Sequence, residues 1–445
     1  MDHNFFQLSR NNDVRFLQDG PSYYDEYLTL IREAKESIHL QTYIFWMDEF
    51  GSVVQKELIK AAERNVEVFV LVDSVGSRLL PLEAEQEMIK AGVHFQRFNS
   101  LHFNWLYRWG RRLHHKVLIA DDQVALVGGI NVANTCTEPA HCPQLDFAVM
   151  LKGPVLPRLS QYCQMVYKSS SFQKITFPKI NASSYGHGYP EGSAVKILIN
   201  DWVFRRWQIT KHYTKLTKKA KNEITIINSY FFPRKTFMKQ LVDARKRGVR
   251  VRLILPKYSD WPSYILASEY LYGYFLKNDV EIYQWTKSIL HGKLATIDDH
   301  WATIGSFNLN YTSYQQNLEM NVNVYSEEFT ADLKTKIEDI IANGCVKLDA
   351  ETFAVSSPLS LRLKRLFYYL ILALVANFSI GLIYQEDNNK ENRFYNLLRI
   401  VGALFFLTLG FIGAILPVVP GFPFFIIAFL LVYKQILMNN KREAM

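Results

Sequence analysis

Two stretches of this 445-residue chain, LHHKVLIADDQVALVGGIN (113–131) and LHGKLATIDDHWATIGSFN (290–308), repeat one pattern of polar residues at one spacing. The first supplies His114, Lys116, Asp121, Gly128, Gly129 and Asn131; the second supplies His291, Lys293, Asp298, Gly305, Ser306 and Asn308. An imidazole can attack an electrophile or move a proton, while an ammonium and a carboxamide beside it can hold an anion. Chance does not readily produce such a set twice in one chain.

Each copy is expected to form a β-hairpin turning at its Asp-Asp pair. Side chains alternate along a strand, so His114 and Lys116 share a face and His115 points away. Folding about residues 121–122 returns Gly128, Gly129 and Asn131 beside His114 and Lys116, and the second hairpin does the same for its own set. Asp121 fits less well. Seven residues of strand place it roughly 23 Å from His114, so it reads best as a turn residue bonded to backbone. An imidazole still needs a carboxylate to fix its tautomer. Asp146 and Glu319, which follow the two motifs at equivalent places, are the expected partners.

The elements that must position these residues are duplicated as well. Strand 36–45, helix 53–65, strand 66–73, helix 81–91 and strand 93–98 precede the first motif, and strand 146–152 follows it. The same order returns as strand 223–232, helix 235–248, strand 249–256, helix 261–277 and strand 280–285, with strand 319–326 after the second motif. Ala34-Lys35 and Ala220-Lys221 stand at matching points. The expected fold class is α/β, two duplicated units each with a sheet covered by helices, at 1–168 and 194–350, joined by a Ser/Gly/Pro-rich linker at 169–193.

The last 80 residues differ in kind. Residues 366–384 carry no charge, enough for a helix of about 28 Å. The run at 401–433 is broken by Pro417, Pro420, Gly421 and Pro423, which reads as a hairpin of short helices. Region 360–445 is thus expected to be a transmembrane or re-entrant anchor, with Arg362, Lys364 and Arg365 favouring a cytoplasmic catalytic part. The N-terminus has no apolar core that would mark a signal peptide. The four cysteines form no C-x-x-C pair and no zinc spacing and are expected to be reduced, with a Cys136–Cys142 disulfide left open. Net charge is +9. From Arg205 to Lys257 there are sixteen Lys or Arg against two acids, either a solvated helix face or an attraction for phosphates of lipid or nucleic acid. FNWLYRWGRR (103–112) and DWVFRRW (201–207) would suit a lipid interface or ordinary packing.

The paired H-x-K-x4-D-x6-G-[GS]-x-N pattern resembles the phospholipase D superfamily. The stretches IHLQTYIF, LVDSVGS and SYFFP resemble its bacterial cardiolipin synthase branch, over about residues 15–345. The resemblance implies two α/β domains about a pseudo-twofold axis with both motifs on one cleft, no cofactor and no metal. It counts Asp121 and Asp298 with the catalytic His114, Lys116, His291 and Lys293. It implies His114 as the nucleophile forming a phosphohistidine and His291 as acid and base, the lysines and asparagines holding the phosphate. The expected reaction is phosphatidyl transfer from phosphatidylglycerol to make cardiolipin. The alternatives are a phospholipid hydrolase and, less favoured because an anchor is useless to it, a nuclease. The expected partners are phospholipid and the bacterial inner membrane, with the catalytic domains on the cytoplasmic side and no nucleic acid.

Overall fold

The computed structural model of the chain describes residues 6–99, 111–133, 144–170, 177, 188–204, 206–355 and 357–383, with isolated positions beyond 400. The first repeat contains β1 (Ser9–Gln18), α1 (Pro21–Glu33), β2 (Ser37–Thr42), α2 (Glu49–Glu63), β3 (Glu67–Asp73), α3 (Leu82–Lys90) and β4 (His94–Phe98). It continues through β5 (Arg112–Leu113), β6 (Lys116–Ala120), β7 (Val124–Gly128), β8 (Phe147–Lys152) and α4 (Leu156–Ser170). The second repeat contains β9 (Ser193–Asp201), β10 (Arg206–Trp207), α5 (Gln208–Lys219), β11 (Glu223–Asn228), α6 (Lys235–Lys246), β12 (Arg250–Pro256), α7 (Pro262–Leu276) and β13 (Glu281–Trp285). There follow β14 (Lys293–Ile297), β15 (Trp301–Gly305), α8 (Tyr311–Gln315), β16 (Asn317–Tyr325), α9 (Glu327–Gly344), β17 (Cys345–Leu348), α10 (Ala350–Val355) and α11 (Leu359–Ile383).

β2 (SIHLQT) and β3 (EVFVLVD) are buried along almost their whole length, β3 with a nearly continuous apolar run. Strands of that kind need cover on both faces and pair in parallel. The first sheet runs β4-β3-β2-β6-β7-β8-β1, with parallel pairing among β2, β3 and β4 and antiparallel pairing elsewhere. The second runs β13-β12-β11-β14-β15-β16-β9 with the same pattern of directions, and β17 extends its edge. The duplication read from the motifs therefore extends to all seven strands of the first sheet. Strand pairing also continues between the repeats, through β1 with β9 and β5 with β16.

Alternation along the strands divides the apolar residues into layers. Val117 and Ile119 of β6 enter a central core shared with Ile197, Ile199 and Leu294 of the second sheet. Leu118 and Ala120 enter an outer core under α1, α2 and α3. α4 and α9 contribute to the central layer, and α5, α6 and α7 cover the outer face of the second sheet. The sheets thus face each other, held also by a buried bidentate ion pair of Arg111 with Asp201 at 2.7 and 3.2 Å.

Residues 1–377 form one compact unit and 378–445 another; in the latter Phe406 stacks on Phe424 with ring centroids 6.1 Å apart. Among the described residues no helix is long and apolar enough to cross a membrane, so the expected C-terminal transmembrane segment finds no support there. The physical reason is visible at the start of α11. Arg362, Lys364 and Arg365 belong to the helix and do not precede it, and Tyr368, Tyr369, Leu372 and Ala373 pack against the second repeat. Most of the run at 401–433, the Cys136–Cys142 pair, residues 101–110 and most of the linker 169–193 lie outside the described residues. Cys163 and Cys345 are free thiols.

Candidate active site

Strand register delivers the hairpins as expected. Lys116 pairs with Gly128 and Ala120 with Val124, and Leu294 pairs with Ile304 in the second copy. The approach to each motif is less expected, because it lies against the other repeat. The carbonyl of Leu318 accepts from the amides of His114 (3.0 Å) and His115 (3.1 Å). The carbonyl of Leu145 accepts from the amides of His291 (2.9 Å) and Gly292 (2.8 Å). The residues after those carbonyls are Glu319 and Asp146.

The histidine–carboxylate pairs are consequently crossed. His114 Nδ1 lies 2.9 Å from Glu319 Oε2, and His291 Nδ1 lies 2.6 Å from Asp146 Oδ2. A carboxylate at Nδ1 fixes the proton there and leaves Nε2 unprotonated, the state a nucleophile or base requires. Burial drives His114 down to about 4 against the opposing charge of Glu319, and burial with the charge of Lys293 also lowers His291. Burial alone would raise both acids. For Asp146 the charges of Lys293 and His291 outweigh it, and for Glu319 those of His114 and Lys116 do, so both stay below the ordinary carboxylate range.

Lys116 and Lys293 lie on the same side as their histidines, and each ammonium donates to the main-chain carbonyl of the histidine two residues before it. Burial lowers Lys116 to about 7, with the charge of Lys293 adding to the effect, and burial lowers Lys293 to about 8. Two buried cations sharing a space at that cost make an anion site. Asn131 Oδ1 accepts from the amide of Ile44 (3.2 Å) and Asn308 Oδ1 from Ser229 Oγ (2.8 Å). These bonds orient each carboxamide.

The two halves differ in how the acid is held. Glu319 accepts from His114, Ser306, Ser313 (2.7 Å) and Asn317 (3.0 Å). Asp146 accepts from His291 and from the amide of Phe147 (2.7 Å). Gly129 answers the same need by absence, since a Cβ there would sit 2.3 Å from Asp146 Oδ1. Gly128 and Gly305 lie against the neighbouring strands β8 and β16, where a Cβ would meet a carbonyl at 2.4 and 2.3 Å.

Asp121 and Asp298 do not join this cluster, a correction to the catalytic set carried by the motif. Both have positive φ, 53° and 52°, in the turns at the far ends of the hairpins, a conformation aspartate tolerates. Asp121 accepts from the amides of Lys35 (2.9 Å), Glu36 (2.7 Å) and Ser37 (3.0 Å). Asp298 accepts from those of Lys221, Asn222 and Glu223 at 3.1, 2.7 and 3.1 Å. Each tethers the entry to the central strand of its sheet. His115 points into the central core, fully buried, with Nε2 2.7 Å from Gln41 Oε1.

Two tyrosines that motif spacing does not single out border the histidines. The Tyr43 ring meets His114 edge-on at 5.1 Å, and Tyr230 meets His291 edge-on at 6.1 Å. The Tyr230 hydroxyl donates to Asp260 at 2.5 Å. Their signal was the repetition itself, because both follow equivalent strands, β2 and β11, in TYIF and SYFF. The strands end at Thr42 and Asn228, short of the expected 45 and 232, and the freed segments carry the tyrosines to the site. No group of three or more His, Cys, Asp or Glu suited to a metal ion occurs among the described residues.

Comparison with known proteins follows the same division of the chain. The family described as "Cardiolipin synthase, PLD-like domain" matches residues 27–154 and again 213–341. The chain is 33% identical to cardiolipin synthase B of Escherichia coli (strain K12) over 341 residues, 76% of this chain and 82% of that protein. It is 29% identical to cardiolipin synthase 1 of Staphylococcus aureus (strain MRSA252) over 372 residues, 82% of this chain and 74% of that one. In fold it resembles phosphatidylserine synthase of Haemophilus influenzae Rd KW20, with a TM-score of 0.66 at 15% identity over 86% of this chain and 98% of that one. With two motif copies on a duplicated sheet and both repeats matched, the chain belongs to the cardiolipin synthase family of phospholipase D-like proteins.

Proposed function

We propose that this protein is a phosphatidyltransferase that makes cardiolipin from phosphatidylglycerol through a phosphohistidine, needing no cofactor or metal. The observation that carries the reading is the crossed pair of histidine–carboxylate couples around two buried lysines. A displacement at phosphorus needs a nucleophile on one side and a proton donor for the leaving oxygen on the other. His114 Nε2 forms the bond to phosphorus as the bond to glycerol oxygen breaks, and His291, which enters this step as the imidazolium paired with Asp146, gives that oxygen its Nε2 proton. The hydroxyl of a second phosphatidylglycerol then returns a proton to His291 while its oxygen displaces His114. Lys116, Lys293, Asn131 and Asn308 hold the non-bridging oxygens as charge gathers on them.

The order of the histidines is supported by the asymmetry of their acids. Glu319, the partner of His114, is pinned by three further donors against one for Asp146, which suits an imidazole that attacks. Asp121 and Asp298 serve architecture. The repeats act as domains 1–168 and 194–350 joined by 169–193, and the enzyme works at the cytoplasmic face of the bacterial inner membrane. Part of the basic run is engaged within the fold, which weakens a nucleic-acid reading. Arg252 pairs with Glu223 and Glu338, Arg250 with Glu281, and Lys239 with Asp243, while Arg247 caps carbonyls of α5.

The test is product analysis with labelled phosphatidylglycerol in mixed micelles. Cardiolipin and free glycerol should form together, and added glycerol should drive the reaction back, because one phosphodiester replaces another. Phosphatidic acid as the main product, indifferent to glycerol, would identify a hydrolase in which water resolves the intermediate.

A further inference from the structure

The first turns of α11 are built into the second repeat. Arg365 Nε donates to Glu269 Oε2 on α7 at 2.8 Å, and its Nη1 donates to Ser357 Oγ at 2.6 Å. The guanidinium also lies 4.5 Å over the Phe353 ring. Four residues on, Tyr369 lies 4.4 Å from Tyr270 and 5.6 Å from Phe232, centroid to centroid. This inner face is packed, whereas the opposite face, at i, i+4 and i+7, is apolar and open: Leu363 is 56% exposed, Phe367 48% and Leu370 54%.

On α7, against which the helix packs, and at the residue before it, Tyr270 is 43% and Trp261 58% exposed. From there a line of rings leads inward. Trp261 lies 6.0 Å from Tyr264, Tyr264 lies 5.3 Å from Tyr230, and Tyr230 meets His291. The surface is thus two rings removed from a catalytic imidazole.

We propose that this face, formed by α7 and the first turns of α11, is where the enzyme rests on an anionic phospholipid bilayer. It admits the headgroup to the cleft past Tyr230. The proposal builds on the lipid reading above. A protein surface in water rarely keeps a contiguous apolar patch without a partner, and Trp and Tyr favour the headgroup level of a bilayer. Arg362 and Lys364 are exposed on the same helix and suit anionic headgroups. The Arg365–Glu269 pair is the positioning element that keeps the docking face and the cleft in one body.

The experiment uses the full chain on vesicles of phosphatidylglycerol and phosphatidylethanolamine carrying a photoactivatable acyl chain, with cross-links mapped by mass spectrometry. Labels are expected on peptides spanning 258–274 and 359–370. In parallel, Leu363→Glu/Phe367→Glu should lose roughly tenfold in turnover on vesicles, with an unchanged thermal midpoint. Turnover with cross-links confined to other faces, or a double variant as active as the parent on vesicles, overturns the docking face and leaves the lipid reading standing. Absence of both turnover and cross-links in the parent protein sinks the lipid reading itself. Should the double variant misfold, the cross-link map of the parent decides alone.

Discussion

Replacing Glu319 by Gln removes one charge and almost no volume, at a site where the carboxylate receives four hydrogen bonds. A hydrogen bond to a charged partner contributes about 1.5–3 kcal/mol, so losing the bond to His114 alone predicts a rate lower by roughly 10- to 150-fold. A second effect deepens the loss. With Ser313 and Asn317 still donating to its oxygen, the carboxamide can direct its own NH2 at His114 Nδ1, which moves the imidazole proton to Nε2 and removes the attacking lone pair. A tautomer set wrongly in this way costs up to about 10⁴ in a serine protease, so the expected range is 10²–10⁴. The control is Asp121→Asn, which disturbs amide bonds at the far end of the hairpin and should lower the thermal midpoint while leaving the rate of the folded protein near normal. The assay is the initial rate of phosphatidyl transfer in mixed micelles, with thermal melts of each variant. Should Asp121→Asn slow the folded enzyme as much as Glu319→Gln does, with no change in melting, the assignment of the acids is wrong.

Three further outcomes follow from the same geometry. His115→Ala should lose about 2–4 kcal/mol of stability, from the cavity and the stranded Gln41 carbonyl, yet turn over normally when folded, as a melt and a rate measured below the transition will show. Lys116 and Lys293 are held down to about 7 and 8, and a bound phosphodiester favours their ammonium forms. Binding should therefore take up protons, and affinity for an anionic lipid analogue should weaken as pH rises from about 7 to 9; calorimetry in buffers of different ionisation enthalpy reads the uptake directly, and pH-independent binding with none would contradict it. Gly129→Ala should displace Asp146 from His291, because its Cβ would fall 2.3 Å from Oδ1, and should cost at least tenfold in rate, on the lost charged hydrogen bond, without unfolding the protein.

Much of the site was legible in the sequence because strand geometry is periodic and the motif occurs twice. Alternation put His114 and Lys116 on one face with His115 on the other, and the length of the hairpin excluded Asp121 from contact with His114. Asp146 and Glu319 could be picked out by position, but their exchange between repeats could not. That exchange depends on β5 pairing with β16 and on the bridge between Leu145 and Leu290, contacts between chain segments some 145 to 205 residues apart that no local pattern encodes. β1 escaped for a related reason. The polar SRNNDVRFLQ has no alternating apolar stripe and is held as a strand by pairing with β8. The tail misled in another way. Hydropathy records the apolar content of 366–384 but not that α11 begins earlier and turns its tyrosines onto α7.

The division of labour between the histidines is tested most directly with a phosphatidyl ester of p-nitrophenol, whose leaving group departs without an acid. Under the proposed roles, His291→Ala should release one equivalent of p-nitrophenolate in a burst and then stall, with the phosphatidyl group found by mass spectrometry on His114. The same substrate given to His114→Ala should show no burst. Equal bursts from both variants, or label on any residue other than His114, would contradict the account.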